Sequence, residues 1–213
     1  MKKFSLFLLT AALLAGCGAA ARTDSAEVNV YEKIQKRLVR LETYQSEATV
    51  EYKSNRGANV YDTLQQCKAD GKYRVEVTGP KNVAGNVTLS DGKIIAQYNP
   101  KISGKISVGV KENPERSEIF LTSFIKNYLN SQEVSVTVGS FNDDKCTILE
   151  ADVPGDHPYL STEKLWVDNK TLNPVKLVIY DPDLSERIVV NYNSFDYNIS
   201  LDDSLFMMPA EVG

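Results

Sequence analysis

The 213-residue sequence has few of the residues that build catalytic and metal centres. It contains a single histidine, His157, and three cysteines. A zinc site takes about four nitrogen, sulfur or oxygen ligands, and one histidine with two widely separated cysteines does not supply such a set. Glycine-rich phosphate loops, nucleophile elbows and EF-hand loops do not occur in the sequence either. We therefore expect no catalytic, cofactor or metal site, and we interpret His157 as a loop residue.

The chain also lacks an excess of positive charge. It has 24 lysines and arginines against 28 acidic residues, a formal net charge of −4. Nucleic-acid binding depends on clustered basic residues that neutralise phosphates, so we expect no nucleic-acid partner. The hydrophobic share of 42% and charged share of 24% are ordinary for a globular protein and exclude a disordered chain. The length predicts one domain.

The longest uncharged hydrophobic run lies at the N terminus. Met1-Lys2-Lys3 precedes residues 4–16, which carry no charge. This run is shorter than the about 20 residues that cross a bilayer, and its pattern is typical of a secretory signal peptide. It ends in Leu14-Ala15-Gly16-Cys17, which resembles the lipobox of bacterial lipoproteins. The resemblance implies that residues 1–16 are removed and that Cys17 is diacylated.

Two acyl chains, at about 0.8 kcal/mol per buried CH₂, give a stable membrane anchor. We therefore expect an exported lipoprotein on the outer face of the cytoplasmic or forespore membrane. The small and polar residues 17–26 then form a tether to a single domain, residues 27–213. A chance cysteine after an ordinary signal peptide is the alternative. The two other cysteines, Cys67 and Cys146, form a disulfide, which an exported location permits, or remain free thiols.

The spacing of apolar residues predicts an α+β fold. A helix is expected over residues 27–42, and a second one begins near Asn113-Pro114, because each segment has apolar residues at helical intervals. The rest of the domain alternates apolar and polar residues and contains Asp-Gly turns that favour hairpins. We count about eleven strands. Successive hairpins predict a large antiparallel sheet covered by the two helices.

One segment carries a family resemblance. The hairpin from Leu165 to Leu177 has a strand ending in Trp-Val-Asp, a turn, and then Pro174 followed by an alternating strand. It resembles the LolA/LolB-like lipoprotein family, which implies an open, curved antiparallel half-barrel with helices in its concave face. The hairpin also has a purely structural interpretation, because Asp168 and Asn169 suit a turn and Trp166 buries a large area.

The resemblance implies two different functions. Within that family the chain is most similar to the GerS group of clostridial germination lipoproteins. That similarity implies a non-enzymatic lipoprotein that binds the N-acetylmuramoyl-L-alanine amidase CwlD and supports the formation of muramic-δ-lactam in spore cortex. The alternative is a carrier or sensor that holds lipid or lipoprotein acyl chains in an apolar cavity.

Side chains on the predicted second helix discriminate between these functions. Phe120, Phe124 and Tyr128 are bulky enough to plug the concave face, which favours the amidase-binding protein over the carrier. An open half-barrel also keeps two free strand edges that invite pairing with another chain. A strand-swapped homodimer is therefore a further expectation.

Overall fold

The structure is a computed structural model and describes residues 25–99, 101, 105–109, 118–155 and 157–207. The predicted signal peptide, Cys17 and the predicted helix start at Asn113 lie outside these residues. The helices are α1, Ser25–Val39, and α2, Leu121–Asn130. The strands are β1 Thr43–Ser54, β2 Gly57–Lys68, β3 Tyr73–Gly79, β4 Val87–Ser90, β5 Ile94–Tyr98, β6 Lys105–Gly109, β7 Val134–Phe141, β8 Asp144–Asp152, β9 Thr162–Asp168, β10 Pro174–Tyr180, β11 Glu186–Tyr192 and β12 Asp196–Tyr197. A 3₁₀ turn, Asp203–Phe206, follows.

All the strands belong to one antiparallel sheet in the order β6-β5-β4-β3-β2-β1-β11-β10-β9-β8-β7, with β12 pairing to β1. Two meanders therefore meet at the centre, where β1 pairs with β11 and Ala48 lies opposite Tyr192. The outermost strands, β6 and β7, do not pair with each other, so the sheet is open. The predicted α+β class, antiparallel pairing and approximate strand number are confirmed.

Local turn chemistry explains the first hairpins. Asp70-Gly71 and Asp91-Gly92 connect neighbouring strands, and both glycines have φ of +92°. Side chains disfavour this backbone region, whereas glycine adopts it without steric cost. The carboxylate of Asp91 accepts hydrogen bonds from the backbone N–H groups of Lys93 and Ile94, at 2.8 and 3.0 Å. These turns therefore set the register of the β2–β3 and β4–β5 hairpins, as the two Asp-Gly pairs predict.

Both helices contribute to a hydrophobic core on one face of the sheet, which we call the core face. Ile34 and Leu38 of α1 and Phe124 of α2 are buried there, with at most 4% of each residue exposed. The two helices are linked by a hydrogen bond of 2.9 Å between the hydroxyls of Tyr31 and Tyr128. Alternate residues of the strands complete this core, and the remaining ones form the outer face.

Side-chain hydrogen bonds stabilise the turn of the β9–β10 hairpin, as its residues predict. Oδ1 of Asp168 accepts hydrogen bonds from the backbone N–H groups of Lys170 and Thr171, at 3.0 and 2.6 Å. Trp166 is half-buried on the outer face, with Nζ of Lys176 5.3 Å from its ring centroid. The tryptophan therefore covers the sheet from outside and does not belong to the core between sheet and helices.

The two cysteines of the folded domain are both free and buried. Cys67 lies on β2 and belongs to the core, whereas Cys146 lies on β8 and does not. Five strand spacings separate β2 from β8, roughly 24 Å along the sheet at about 4.8 Å each. A disulfide needs Cα atoms within about 7 Å. An intramolecular bridge is therefore incompatible with this fold, and the free-thiol alternative describes the structure.

Candidate functional site: a cavity on the core face and a free strand edge

The helices leave part of the core face uncovered, and a cavity of about 810 Å³ lies there. Strands β1 to β5 supply most of its walls. The same alternation that buries Ala48 places Val50 and then Tyr52 on the core face, further along β1. Glu118 and Phe120, which precede α2, and His157 and Leu160 of the β8–β9 connection also line the cavity.

The floor of the cavity is aliphatic. Val50 and Val75 are each less than 8% exposed, and Ile119 and Ile188 are similarly buried. All of these side chains line the cavity, so the hydrophobic core continues into its floor. This floor is the feature expected of a site that receives the apolar part of a ligand.

The rim has a different composition, with tyrosines and side-chain amides. The tyrosines are Tyr52, Tyr61 and Tyr73, and the amides are Asn59, Asn86, Gln97 and Asn99. Nδ2 of Asn99 donates to Oδ1 of Asn86 at 2.9 Å, and Oδ1 of Asn99 accepts from the backbone N–H of Lys101 at 2.9 Å. These bonds orient two of the amides at the mouth. Among the described residues that line the cavity, none is lysine or arginine.

The predicted plug fills only part of the core face. Phe124 and Tyr128 are buried between α2 and the sheet, as expected. Phe120 packs against Tyr73, with ring centroids 4.5 Å apart. This aromatic pair lines both the cavity and a second groove of about 950 Å³. The Tyr73–Phe120 pair therefore separates the cavity from the second groove, and the aromatic side chains of α2 do not fill the cavity.

His157 is a loop residue, as the sequence predicts, and it is exposed at the rim of the cavity. Its Nδ1 accepts a hydrogen bond of 3.2 Å from the backbone N–H of Tyr159. No local sequence pattern indicates that this loop meets β1 to β5, because the residues involved are about 60 to 100 positions apart.

Cys67 is a poor candidate for a reactive thiol. It is completely buried, and this burial raises its pKa to about 12, although a hydrogen bond with Tyr44 acts in the opposite direction. Burial also raises the pKa of Tyr44 well above its ordinary value. The Tyr44 hydroxyl donates to Gln65 at 3.3 Å and accepts from the backbone N–H of Leu121 at 3.3 Å. These contacts fix the start of α2 on the sheet and are structural.

The free edge strand β7 carries an unusual apolar stripe. Val134, Val136 and Val138 are 47%, 40% and 46% exposed. Val134 and Val136 lie opposite Ala151 and Leu149, which are core residues, so these valines face the same side of the sheet. An exposed edge strand with apolar side chains is a template for pairing with another chain. We call Val134, Val136 and Val138 the valine edge.

No helix in the described part of the chain has the length and apolar character needed to cross a membrane.

Comparison with known proteins identifies relatives of this chain. Sporulation protein YdcC of Bacillus subtilis (strain 168) is 20% identical over 201 residues, which are 93% of this chain and 57% of the relative. The chain thus spans little more than half the length of that protein. In the structure of the CwlD amidase from Clostridioides difficile in complex with the GerS lipoprotein, the matching chain is 30% identical. That match covers 82% of this chain and 98% of the other, with a TM-score of 0.49.

A LolA superfamily protein from Nitrosomonas europaea is 15% identical, with 85% of this chain and 97% of that chain covered and a TM-score of 0.45. The predicted similarity to LolA-like proteins and to GerS is confirmed. The family model described as sporulation protein YdcC-like matches residues 1–206. Since this match extends over nearly the entire sequence, the chain belongs to the sporulation protein YdcC-like family.

Proposed function

We propose that this protein is a membrane-anchored, non-catalytic lipoprotein that binds a CwlD-type N-acetylmuramoyl-L-alanine amidase and supports its activity on spore cortex. One observation carries the proposal: the chain is 30% identical to a relative in the structure of CwlD in complex with GerS, and it covers 98% of that relative. Membership of a family of sporulation proteins supports the same process. The reaction, muramic-δ-lactam formation, then depends on the partner's chemistry.

The valine edge is our candidate for the amidase-binding surface. A partner strand that pairs with β7 gains backbone hydrogen bonds, and pockets for alternate side chains provide specificity. The three exposed valines offer apolar area on one side of that added strand. A second copy of this chain could use the same edge, which would give the strand-swapped homodimer. We assign the edge to the amidase because a complex of this kind is known for the relative.

Calorimetric titration of the chain from residue 17 onward, with Cys17→Ser, against the amidase of the same organism tests this proposal. We expect saturable binding, weakened by about tenfold or more, equivalent to about 1.4 kcal/mol, in Val136→Lys. Ser135→Lys is the matched control, because neighbouring residues of a strand face opposite sides. Absence of a complex with the unsubstituted chain would overturn the proposal. A stable dimer that excludes the amidase would reassign the edge.

The lipid anchor needs a separate test. We expect the protein to be labelled by radioactive palmitate and to sediment with membranes in sporulating cells, whereas the Cys17→Ser variant loses both properties. Two acyl chains suffice for stable anchoring. A Cys17→Ser protein that still carries label on the membrane would contradict lipidation at this residue.

The cavity favours a second candidate function, a carrier or sensor of acyl chains. Its aliphatic floor could receive an apolar chain. Native mass spectrometry of the purified protein discriminates between the two functions. Co-purified lipid would favour the carrier, and a co-purified amidase would favour the accessory protein.

A further inference from the structure

We propose that the core-face cavity binds a neutral, N-acetylated oligosaccharide. This inference goes beyond amidase binding and does not rest on it. It follows from the chemistry of the cavity, which combines an aliphatic floor, tyrosines and side-chain amides with an absence of lysine and arginine among its described lining.

The tyrosines suit the apolar faces of sugar rings. Tyr61 is half-buried in the cavity wall and lies opposite Val50 on the core face, so it presents ring surface to the space without being packed in the core. Tyr52, 36% exposed, stands edge-on to Tyr61 with ring centroids 6.1 Å apart. A pyranose ring has a C–H face, and aromatic rings supply large and rigid contact area for such surfaces.

The amides suit the polar edges of the same ligand. A side-chain amide offers two N–H donors and a carbonyl acceptor, which match hydroxyl and acetamido groups. Because Oδ1 of Asn86 accepts the bond from Asn99, the Nδ2 group of Asn86 keeps its donors for other partners. Asn59 and Gln97 add two further amides to the lining. Together they can bond to several ring substituents at once.

The charge of the described lining favours a neutral ligand. Phosphate and carboxylate ligands gain most from lysine or arginine partners, whereas the described lining has neither and includes the acidic Glu118. An acyl chain alone would cover the amides without offering hydrogen bonds, and burying unpaired polar groups is costly. A saccharide offers apolar groups to the aliphatic floor and hydrogen-bonding groups to the amides of the rim. The methyl group of an acetamido substituent fits the aliphatic floor formed by Val50, Val75 and Ile119.

The size of the cavity is compatible with a short oligosaccharide. Its volume of about 810 Å³ falls within the range of about 300–1,000 Å³ that small-molecule sites occupy. The exposed side chains of Asn59 and Asn86 at the rim show that the cavity opens to solvent. A glycan longer than the cavity could therefore extend outside it.

Titration calorimetry with chitotriose, three β-1,4-linked N-acetylglucosamine units, tests the inference. Cellotriose is the matched ligand without acetamido groups. We expect saturable binding of chitotriose, at least tenfold tighter than that of cellotriose. Tyr61→Ala and Tyr52→Ala should each weaken binding by about tenfold. Tyr180→Ala is the control, because Tyr180 lies half-buried on the outer face, near Lys164. Far-UV circular dichroism establishes that each variant is folded.

Three results would overturn the inference. These are no saturable binding of chitotriose to the folded protein, equal affinity for both sugars, or displacement of chitotriose by lauric acid, which would identify an acyl-chain site. The Val136→Lys variant separates this inference from the proposed function. It should lose the amidase and keep the sugar, whereas Tyr61→Ala should keep the amidase and lose the sugar.

Discussion

Glu163 on β9 is a buried carboxyl group beneath α2, and its protonation should control stability. The residue is 1% exposed, and its Oε1 accepts a hydrogen bond of 2.8 Å from Nδ2 of Asn127. Burial raises the pKa of Glu163 from its ordinary value of 4.5 to about 8. The bond from Asn127 lowers it, and the nearby charge of Glu118 raises it. The folded protein therefore holds this proton at neutral pH.

The sign and size of the effect follow from proton linkage. Between about pH 4.5 and pH 8 the unfolded chain has lost the Glu163 proton and the folded chain has kept it. The folded state then binds more protons, so stability falls as pH rises. Each pH unit inside this window costs about 1.4 kcal/mol, and the loss is complete above the folded pKa. From about pH 5 to about pH 8 we expect a loss of about 3 kcal/mol.

The Glu163→Gln variant isolates this contribution. Glutamine keeps the shape and the acceptor for Asn127 but cannot ionise. Urea unfolding, followed by circular dichroism and by the fluorescence of Trp166, measures the free energy of unfolding at several pH values. We expect the variant to match the unsubstituted protein near pH 5 and to exceed it by about 3 kcal/mol near pH 8.

A matched control distinguishes burial from general charge effects. Glu150→Gln makes the same chemical change at a half-buried position, where Glu150 pairs with Lys164 at 3.2 Å. A stability difference between Glu163→Gln and the unsubstituted protein that stays constant over this pH range would refute the reasoning. The carboxyl would then ionise in the folded state as it does in the unfolded chain.

Three further predictions concern packing, the helix contact and the thiols. Phe124→Ala should lower the free energy of unfolding by about 3–5 kcal/mol, because Phe124 is fully buried between α2 and the sheet; a loss below about 1 kcal/mol in urea unfolding would contradict its core role. Tyr128→Phe should cost about 0.5–1.5 kcal/mol through the lost hydroxyl bond to Tyr31, and an unchanged urea midpoint would contradict that bond. With Cys17 replaced by serine, Cys67 and Cys146 should react with Ellman's reagent only after unfolding, since both are buried; rapid reaction of the folded protein would refute this.

Features set by local sequence could be predicted well. Alternation along β1 and the Asp70-Gly71 and Asp91-Gly92 turns depend on neighbouring residues, and each appears in the structure. The ends of the helices follow less directly from local sequence. The predicted helix 27–42 ends at Val39, although Leu41 is buried as its place in the apolar stripe indicates. The backbone N–H of Leu41 bonds to the carbonyl of Leu38 in a turn, so the apolar spacing continues beyond the helix.

Contacts between distant segments could not be predicted. The pairing of β1 with β11 joins residues more than 130 positions apart, and periodicity contains no information about which strands become neighbours. The cavity is a consequence of that pairing, since it gathers Tyr52, Tyr61, Gln97 and His157 from separate segments. For the same reason, local sequence does not determine whether Cys67 and Cys146 form a disulfide. Only the strand order reveals their separation.

Sheet dimensions explain why an open cavity and a free edge coexist. Eleven strands at about 4.8 Å spacing span roughly 48 Å, whereas two helices of about 10 Å diameter cover less than half of that width. These two helices of the described residues therefore leave part of the core face uncovered. The sequence places tyrosines and amides over β1 to β5, and the valine edge six strand spacings from β2, roughly 29 Å along the sheet. A partner on β7 would therefore bind at the opposite end of the sheet from the β1 to β5 wall of the cavity.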